Sequence, residues 1–470
     1  MAAIVVCGGS VIGLASAMML ARDGHRVTVL ERDPAAPPPG SAAAAWDGWS
    51  RPGVAQFHQP HNLFARARLV LDEELPGILD RLVEAGCVWV DPLTMGPPSL
   101  DKTPRAGDDR FRYVTGRRPV IEAVLATAAA QEAGVDIRRG VAGVGLVTAG
   151  EVATGVPHVA GVRTIGGDEL AADLVVDATG RRSRLAEWLT EVGARPPYVE
   201  SEDGGFVYHT RYFTGPRLPR TLGPPVFEVG TISLLTIPGD NDTWSVTVWA
   251  TSADTALRGL KDVDRFTAVV KTCPLQRGWL RGEPVTEVLT MAGVIDRYRR
   301  FVVDGRPVAT GVVAVGDAWA CTNPSAGRGI TVGLVHAQGL RHVVRSVGVG
   351  DAEGLVRAFD QVTEERVAPY YWNQIAADRR RLAEMDALRR GDEPPAPDPT
   401  SVAVGAAMLQ DPVVFRGSLE TAMCLALPEE VFARPGFMDR VRAVPVPPGP
   451  PLRLPGPNRE ELLELLARPG

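Results

Sequence analysis

The chain has 470 residues, of which 45% are hydrophobic and 23% charged, and its formal net charge is −6. This length favours two joined domains over one simple core, and the composition is ordinary for a soluble globular protein. The negative charge gives no electrostatic reason to expect binding to nucleic acid or to an anionic membrane.

Cysteine usage and the first residues indicate where the protein works. The five cysteines lack CxxC spacing, which argues against a metal site or a disulfide framework and favours a reducing compartment. The N-terminus is expected to be a core strand rather than a signal peptide, because no basic segment precedes it and glycines interrupt the apolar run. No apolar run reaches the length of a transmembrane segment. A cytoplasmic protein is therefore predicted.

A dinucleotide-binding βαβ unit is predicted at the N-terminus. It comprises a strand, a glycine-rich turn, a helix and a second strand, at 3–7, 8–13, 14–23 and 26–30. Gly8 permits the tight turn, Gly13 lets the helix pack closely on the strand, and the helix N-terminus can face a pyrophosphate. Ser10 replaces the middle glycine of the usual motif. Glu31 ends the second strand, where it can accept hydrogen bonds from an adenosine ribose.

The rest of the chain is predicted to alternate between helical and strand segments. Helices are expected near 62–75, 77–85, 118–132, 330–345 and 351–390. A continuous apolar strand of the buried parallel type runs to Asp177 and stops at the turn that contains Gly180. Alternation between about 205 and 294 predicts antiparallel strands. The Pro-rich tail beyond residue 391 is expected to be a packing arm or a partly ordered extension.

A second ligand-binding turn is predicted after the apolar strand at 311–315. This strand ends on Gly316 and Asp317, which places a carboxylate at the carboxyl edge of the sheet, where ligands bind in open α/β folds. Gly327 and Gly329 then open a helix whose N-terminus can face an electron-rich ligand atom. A strand–loop–helix with a capping Asp would explain this segment alone. Combined with the N-terminal unit and the strand that ends at 177–180, a cofactor site is favoured.

These three segments resemble the FAD-dependent monooxygenases of the para-hydroxybenzoate hydroxylase type. The run 53–56 with His58 and His61, and the strand at 206–211, resemble bacterial flavin epoxidases and hydroxylases of natural-product biosynthesis. The resemblance extends from the N-terminus to about Ala337. It implies an α/β fold in which a Rossmann-like FAD-binding domain with a parallel sheet is interleaved with an antiparallel substrate domain, followed by a helical, Pro-rich C-terminal extension.

The resemblance also implies domain limits and site residues. The FAD-binding domain would comprise 1–75, 110–185 and 295–385, the substrate domain 76–109 and 186–294, and the extension 386–470. The implied FAD contacts are Gly8, Ser10, Gly13, Glu31, Arg32, Gln56, Arg118, Asp177, Gly180, Asp317, Pro324, Gly327, Arg328 and Gly329. The residues expected to face the substrate or the reacting atoms are His58, Tyr208, Arg211 and Tyr212. No metal is expected.

The implied activity is insertion of one oxygen atom from O₂ into a lipophilic or aromatic secondary metabolite through a flavin C4a-hydroperoxide. Electrons would come from NAD(P)H or from a partner flavin reductase. The donor is left open because Ala186 stands where the family motif has an arginine. The halogenase Trp-x-Trp-x-Ile-Pro signature is absent, which argues against chlorination. Two alternatives remain, a flavin reductase of isolated C=C bonds like geranylgeranyl reductase and a non-catalytic FAD-binding partner protein.

Overall fold

The computed structural model describes residues 1–446 and 455–467. Its centre is a five-stranded parallel sheet, in the order Val312–Ala314, Leu174–Asp177, Ala3–Cys7, Arg26–Glu31 and Val135–Arg139. The three middle strands are nearly continuous runs of Val, Ile and Leu because both faces of the sheet are buried. The predicted βαβ unit and the two later parallel strands are confirmed.

Three helices pack around this sheet, at Val11–Ala21, Arg118–Gln131 and Gly329–Val347. The glycines of the first turn are required by close backbone approach. A Cβ atom on Gly13 would lie 1.8 Å from the carbonyl oxygen of Gly8. Gly8 has φ +110°, and a Cβ there would lie 2.4 Å from the carbonyl oxygen of Ala178. Gly13 therefore allows the helix to pack closely on the first turn, and Gly8 allows that turn to approach the neighbouring turn at Ala178.

The second large sheet is antiparallel, as alternation predicts. Its strands, in spatial order, are Val226–Val229, Ile232–Pro238, Thr243–Thr251, Phe206–Thr214 and Glu283–Pro284, with Leu289–Met291 also paired to the fourth. One face covers an apolar core with the helix Val263–Lys271, and the other faces the parallel-sheet half of the molecule. This second face is the one that bears on the site described below.

Smaller sheets connect the two halves. They are formed by Pro60–Leu63, Tyr113–Arg117 and Val88–Val90; by Gly143–Ala153, Val156–Thr164 and Glu169–Ala171; by Tyr198–Asp203, Ile295–Arg300 and Ala320–Cys321; and by Val302–Val303 and Arg306–Pro307. Short helices lie at Ala45–Gly48, Ile78–Glu84 and Leu185–Glu191.

Two predicted helices differ in the structure. The helix expected at 62–75 is the strand Pro60–Leu63 followed by the helix Ala65–Glu74, because the first residues pair with Tyr113–Arg117. The helix expected at 351–390 is divided into Ala352–Arg366 and Ala368–Arg390. Pro369 follows the break, and proline supplies no backbone N–H to continue an earlier helix.

The C-terminal extension is helical, at Pro399–Met408, Pro412–Ala422, Pro428–Phe432, Phe437–Ala443 and Arg459–Ala467. Asp398 and Asp411 cap the first two, each before a proline at the first helical position. Phe415 packs against Leu93 and Phe111, so these helices lie on the main body. Part of the predicted tail, 447–454 and 468–470, lies outside the described residues. Within the described ranges, no helix combines the length and apolar character needed to cross a membrane.

Candidate active site

The turn before the first helix is surrounded by polar and charged side chains. Ser10, at the N-terminus of Val11–Ala21, donates its hydroxyl to Glu122 Oε1 at 2.6 Å. The same hydroxyl accepts from Arg118 Nη2 at 2.9 Å, and Arg118 Nε donates to Glu122 Oε1 at 2.7 Å. The first backbone N–H groups of a helix have no partner within it, and here they lie beside a guanidinium. This end of the site suits a pyrophosphate.

A buried arginine that the sequence patterns do not mark holds this region together. Arg51 donates to Glu31 Oε2 at 2.6 Å, to Asp33 Oδ2 at 3.0 Å and to Glu122 Oε2 at 2.9 Å. The Arg51 side chain is 1% exposed. Its partners lie 18 to 71 residues away in the chain, so no local motif reveals them. Glu31 also accepts from the backbone N–H groups of Gly9 and Asp33, which leaves one acceptor position for a ribose hydroxyl.

Three of the predicted residues lie away from this cluster. Arg32 is exposed and donates to the carbonyl oxygen of Gly53 at 3.0 Å. His58 is exposed, and its ring contacts Trp46 edge-on at 5.1 Å between centroids. Gln56 is half-buried at the start of the same turn.

Gln59 and His61, one and three residues after His58, point into the molecule instead. Thr210 of the antiparallel sheet donates its hydroxyl to Gln59 Oε1 at 2.9 Å. His61 Nε2 lies 3.0 Å from Arg118 Nη1, and Nδ1 lies 2.8 Å from the carbonyl oxygen of Gln59. Burial, together with the positive charge of Arg118, lowers the pKa of His61 to about 3. A neutral imidazole that donates from Nδ1 and accepts at Nε2 satisfies both contacts.

The two predicted aspartates at the carboxyl edge of the parallel sheet have different surroundings. Asp177 accepts from the backbone N–H and hydroxyl of Thr179, at 2.9 and 2.6 Å, and from the Ser183 hydroxyl at 2.5 Å. Its carboxylate therefore shapes the turn that carries Gly180. A Cβ atom on Gly180 would lie 4.0 Å from Asp317 Cβ, so the two turns adjoin.

Asp317 is the carboxylate that faces the open side of this edge. It is half-buried, and burial raises its pKa while three guanidinium groups oppose that shift, those of Arg118, Arg181 and Arg299. A carboxylate that the protein leaves without a direct hydrogen-bond donor can accept from hydroxyl groups of a ligand.

The loop before the helix Gly329–Val347 presents unpaired polar atoms. Pro324 begins a single 3₁₀ turn, and Gly327 follows with φ +66°. A Cβ atom on Gly327 would lie 3.6 Å from Asn62 Nδ2. Asn62 Oδ1 and Arg328 Nε are both buried without a hydrogen-bond partner. Buried polar groups are rarely left unpaired, so these atoms suit a flat, polar ligand at the loop.

Strand Phe206–Thr214 places the predicted substrate-facing residues on two different faces. Tyr208 and Tyr212 share the face directed towards the loop and the first 60 residues, and the Tyr208 hydroxyl donates to Asn323 Oδ1. Arg211 lies on the opposite face, where its Nε donates to the carbonyl oxygen of Thr286 at 3.0 Å. The period of two in a strand requires this separation. The site therefore brings together Tyr208 and Tyr212 but not Arg211.

Comparison with known proteins shows which families and folds this chain resembles. Residues 3–102 match the family model described as "FAD dependent oxidoreductase". The matched part, about a fifth of the chain, contains the first turn, Glu31 and Arg51.

Particular proteins resemble the chain over most of its length. Protein Rv3254 of Mycobacterium tuberculosis is 28% identical over 408 residues, which cover 80% of this chain and 79% of that protein. The crystal structure of p-nitrophenol 4-monooxygenase PnpA from Pseudomonas putida DLL-E4 superposes with a TM-score of 0.59 at 15% identity, over 94% of this chain and 98% of that one. OxyS anhydrotetracycline hydroxylase from Streptomyces rimosus gives a TM-score of 0.57 at 17% identity, over 91% and 76%. The chain has the fold of these flavin-dependent monooxygenases and hydroxylases.

Proposed function

We propose that this protein is a FAD-dependent monooxygenase that inserts one oxygen atom from O₂ into a lipophilic or aromatic metabolite, as a hydroxylase or an epoxidase. One observation carries the proposal. The turns that follow three adjacent parallel strands, Ala3–Cys7, Leu174–Asp177 and Val312–Ala314, meet at one edge of the sheet. The unpaired loop atoms and the polar sheet face adjoin that edge. This arrangement supports an extended site for a dinucleotide, and we place the substrate at its far end.

The residues present fit FAD along this edge. The N-terminus of Val11–Ala21 and Arg118 would hold the pyrophosphate, and the free acceptor position of Glu31 would take a ribose hydroxyl. Asp317 would accept from the ribityl chain, and the loop at Gly327 would contact the isoalloxazine ring. Bound FAD would supply the redox chemistry with O₂. The role of the chain is to bind, orient and exclude water.

The face of the antiparallel sheet supports a substrate with at least one oxygen substituent. Tyr212 and Ser245 are direct cross-strand neighbours, each 1% exposed, and the Tyr212 hydroxyl and Ser245 Oγ have no hydrogen-bond partner. Burial raises the pKa of Tyr212 well above its ordinary range, so its hydroxyl stays protonated and donates. The Trp46 ring meets the Tyr212 ring at 4.8 Å and adds an apolar surface. A ring system with a hydroxyl or carbonyl group matches these contacts.

Further parts of the proposal concern organisation and partners. Residues 76–109 and 186–294 would form the substrate domain, and 1–75, 110–185 and 295–385 the FAD-binding domain. Electrons would come from NAD(P)H or a partner flavin reductase. The five cysteines are all buried and free, which supports work in the reducing cytoplasm.

The test combines isotope labelling with two variants. Purified holoprotein, NADPH, NADH or a flavin reductase, and a panel of oxygenated aromatic compounds would be incubated under ¹⁸O₂. Substrate-dependent O₂ consumption with one labelled oxygen in the product supports a monooxygenase. Product formation without O₂ would instead support the reductase of C=C bonds, and a flavin that no donor reduces would support a non-catalytic protein.

The variants test the proposed substrate contact. Tyr212→Phe removes the unpartnered hydroxyl, and we expect KM to rise about tenfold, the cost of one hydrogen bond to a buried group. Arg211→Met on the opposite face of the same strand is the matched control, and it should leave KM unchanged. Equal changes of KM in the two variants would contradict the proposal that this face of the sheet contacts the substrate.

A further inference from the structure

Two buried carboxylates, on different elements of the fold, hold the loop 323–329. Asp296, on strand Ile295–Arg300, accepts from the backbone N–H of Asn323 at 2.5 Å. Asp378, on helix Ala368–Arg390, accepts from the Ser325 hydroxyl at 2.5 Å. Asp296 is 4% exposed and Asp378 is 5% exposed. The loop is therefore fixed at two points by elements that are far apart in the chain.

Neutral groups complete each of these contacts. Gln374 Nε2 donates to the Ser325 hydroxyl at 2.7 Å and to Asp378 Oδ2 at 2.9 Å. Asn323 Nδ2 donates to the carbonyl oxygen of Gly204 at 2.9 Å, while its Oδ1 accepts from the Tyr208 hydroxyl. The direct hydrogen-bond donors to these two carboxylates are therefore amide and hydroxyl groups. Most buried carboxylates in proteins are paired with a cation instead.

The electrostatic surroundings disfavour two negative charges. Burial, together with the nearby acids Asp378, Glu202 and Asp203, raises the pKa of Asp296 to about 7, despite the bond from the Asn323 backbone. Burial also raises the pKa of Asp378, although Ser325 and Gln374 oppose the shift. The charged or titratable groups that face the pair are Glu202, Asp203, Glu228, Arg328, Cys321, Tyr208 and Tyr371. Arg328 is the cation that acts on Asp378, and Glu202 is itself paired with Arg379.

We propose that Asp296 and Asp378 are positioning residues that clamp the loop 323–329 in its ligand-ready conformation, and that the clamp holds while at least one of the two carboxyl groups is protonated. The direction of the pH effect follows from the charges. At pH below 7 Asp296 is largely neutral, and both loop bonds form without repulsion between the carboxyl groups. Once both carboxyl groups are ionised at higher pH, two like charges share a buried region, and the loop loosens. That the loop contacts a flavin rests on the proposed function; the clamp itself does not.

Hydrogen–deuterium exchange of the apo-protein tests the clamp without any cofactor. After correction for the intrinsic pH dependence, we expect exchange of peptides spanning 322–329 to rise several-fold between pH 6 and pH 8.5, because repulsion between the two ionised carboxyl groups opposes the clamped loop. Asp296→Asn keeps an acceptor for Asn323 but cannot ionise, so its corrected exchange should stay flat. Parallel pH profiles of the natural protein and this variant would overturn the proposal.

Two further variants keep the test decisive if Asp296→Asn folds poorly. Ser325→Ala removes the Asp378 bond to the loop but no charge, so exchange should be faster at both pH values. Asp360→Asn is the matched control, since Asp360 also has a pKa raised by burial but bonds to Arg300 away from the loop. An unchanged loop in Ser325→Ala, or an equal change in Asp360→Asn, would contradict the clamp.

Titration of apo-protein with FAD then separates the two proposals. If FAD binds, affinity of the natural protein should fall several-fold from pH 6 to pH 8.5, and the fall should be smaller in Asp296→Asn. If the natural protein binds no FAD at any pH, the proposed function fails, while the exchange experiment still decides whether the clamp exists.

Discussion

Arg51 is the residue whose replacement should destabilise the protein most clearly. Arg51→Met keeps much of the side-chain volume but removes a guanidinium that bonds to Glu31, Asp33 and Glu122 together. Arg118 still pairs with Glu122, so the uncompensated charge falls mainly on Glu31 and Asp33, which are each 4% exposed. Removing one partner from a buried ion pair typically costs about 3–5 kcal/mol, because the remaining charge has lost its solvation and its counterion.

Urea unfolding at pH 8 and pH 5 measures this cost. We expect a loss of about 3–5 kcal/mol at pH 8 and a smaller loss at pH 5, where carboxylates deprived of their cation can take up protons. Arg138→Met is the control, because Arg138 and Asp136 form an exposed pair, with side chains 45% and 61% exposed, and such pairs contribute about 0–1 kcal/mol. A loss in Arg51→Met no larger than in the control, or equal at both pH values, would refute the electrostatic reasoning.

Three other substitutions or treatments have defined outcomes. Gly13→Ala should cost more than about 3 kcal/mol in urea unfolding, because its Cβ would lie 1.8 Å from a backbone oxygen that cannot move aside cheaply. The five cysteines, Cys7, Cys87, Cys273, Cys321 and Cys424, are all buried, so a thiol reagent should label them only slowly in the native protein and completely in denaturant. Asp108→Asn should cost about 1–3 kcal/mol, because it weakens the two bonds, 2.6 and 2.8 Å, that Arg416 makes from helix Pro412–Ala422; protease sensitivity of the C-terminal helices should rise with it.

Local signals predicted the framework of the fold. The βαβ unit, the strand to Asp177 and the strand before Gly316 were each identifiable from apolar runs and glycines, since these features act within about ten residues. The sequence also predicted why Gly8 and Gly13 are glycines, for a tight turn and for close packing of the helix. In the structure, the nearest atoms that a Cβ would meet at both positions belong to the protein's own backbone. The prediction of one helix at 351–390 was wrong because it relied on the continuous pattern of charged residues. Pro369, at the start of the second helix, was the sequence signal for the break between 352–366 and 368–390.

Contacts across long stretches of chain could not be predicted in the same way. The strand Pro60–Leu63 forms because Tyr113–Arg117 lies beside it, and no residue within it has a strong strand preference. This pairing decides which side chains of the segment turn inward, so Gln59 and His61 reach Thr210 and Arg118 while His58 remains exposed. The motif indicated the segment, but only tertiary pairing determined its orientation.

The helix Ala368–Arg390 shows why a cofactor motif is an incomplete description of a site. It lies beyond about residue 337, where the sequence resemblance ends, yet it joins both halves of the molecule. Arg381 donates to Ser233 Oγ and to the carbonyl oxygens of Gly230 and Ile232 on the antiparallel sheet. One turn earlier, Asp378 bonds to Ser325 in the loop at the other half. Since a helix is rigid over this distance, Ala368–Arg390 sets the distance between the loop 323–329 and the antiparallel sheet. This helix carries no recognisable motif. Substitutions in it can therefore change substrate specificity without any change in the glycine-rich turns.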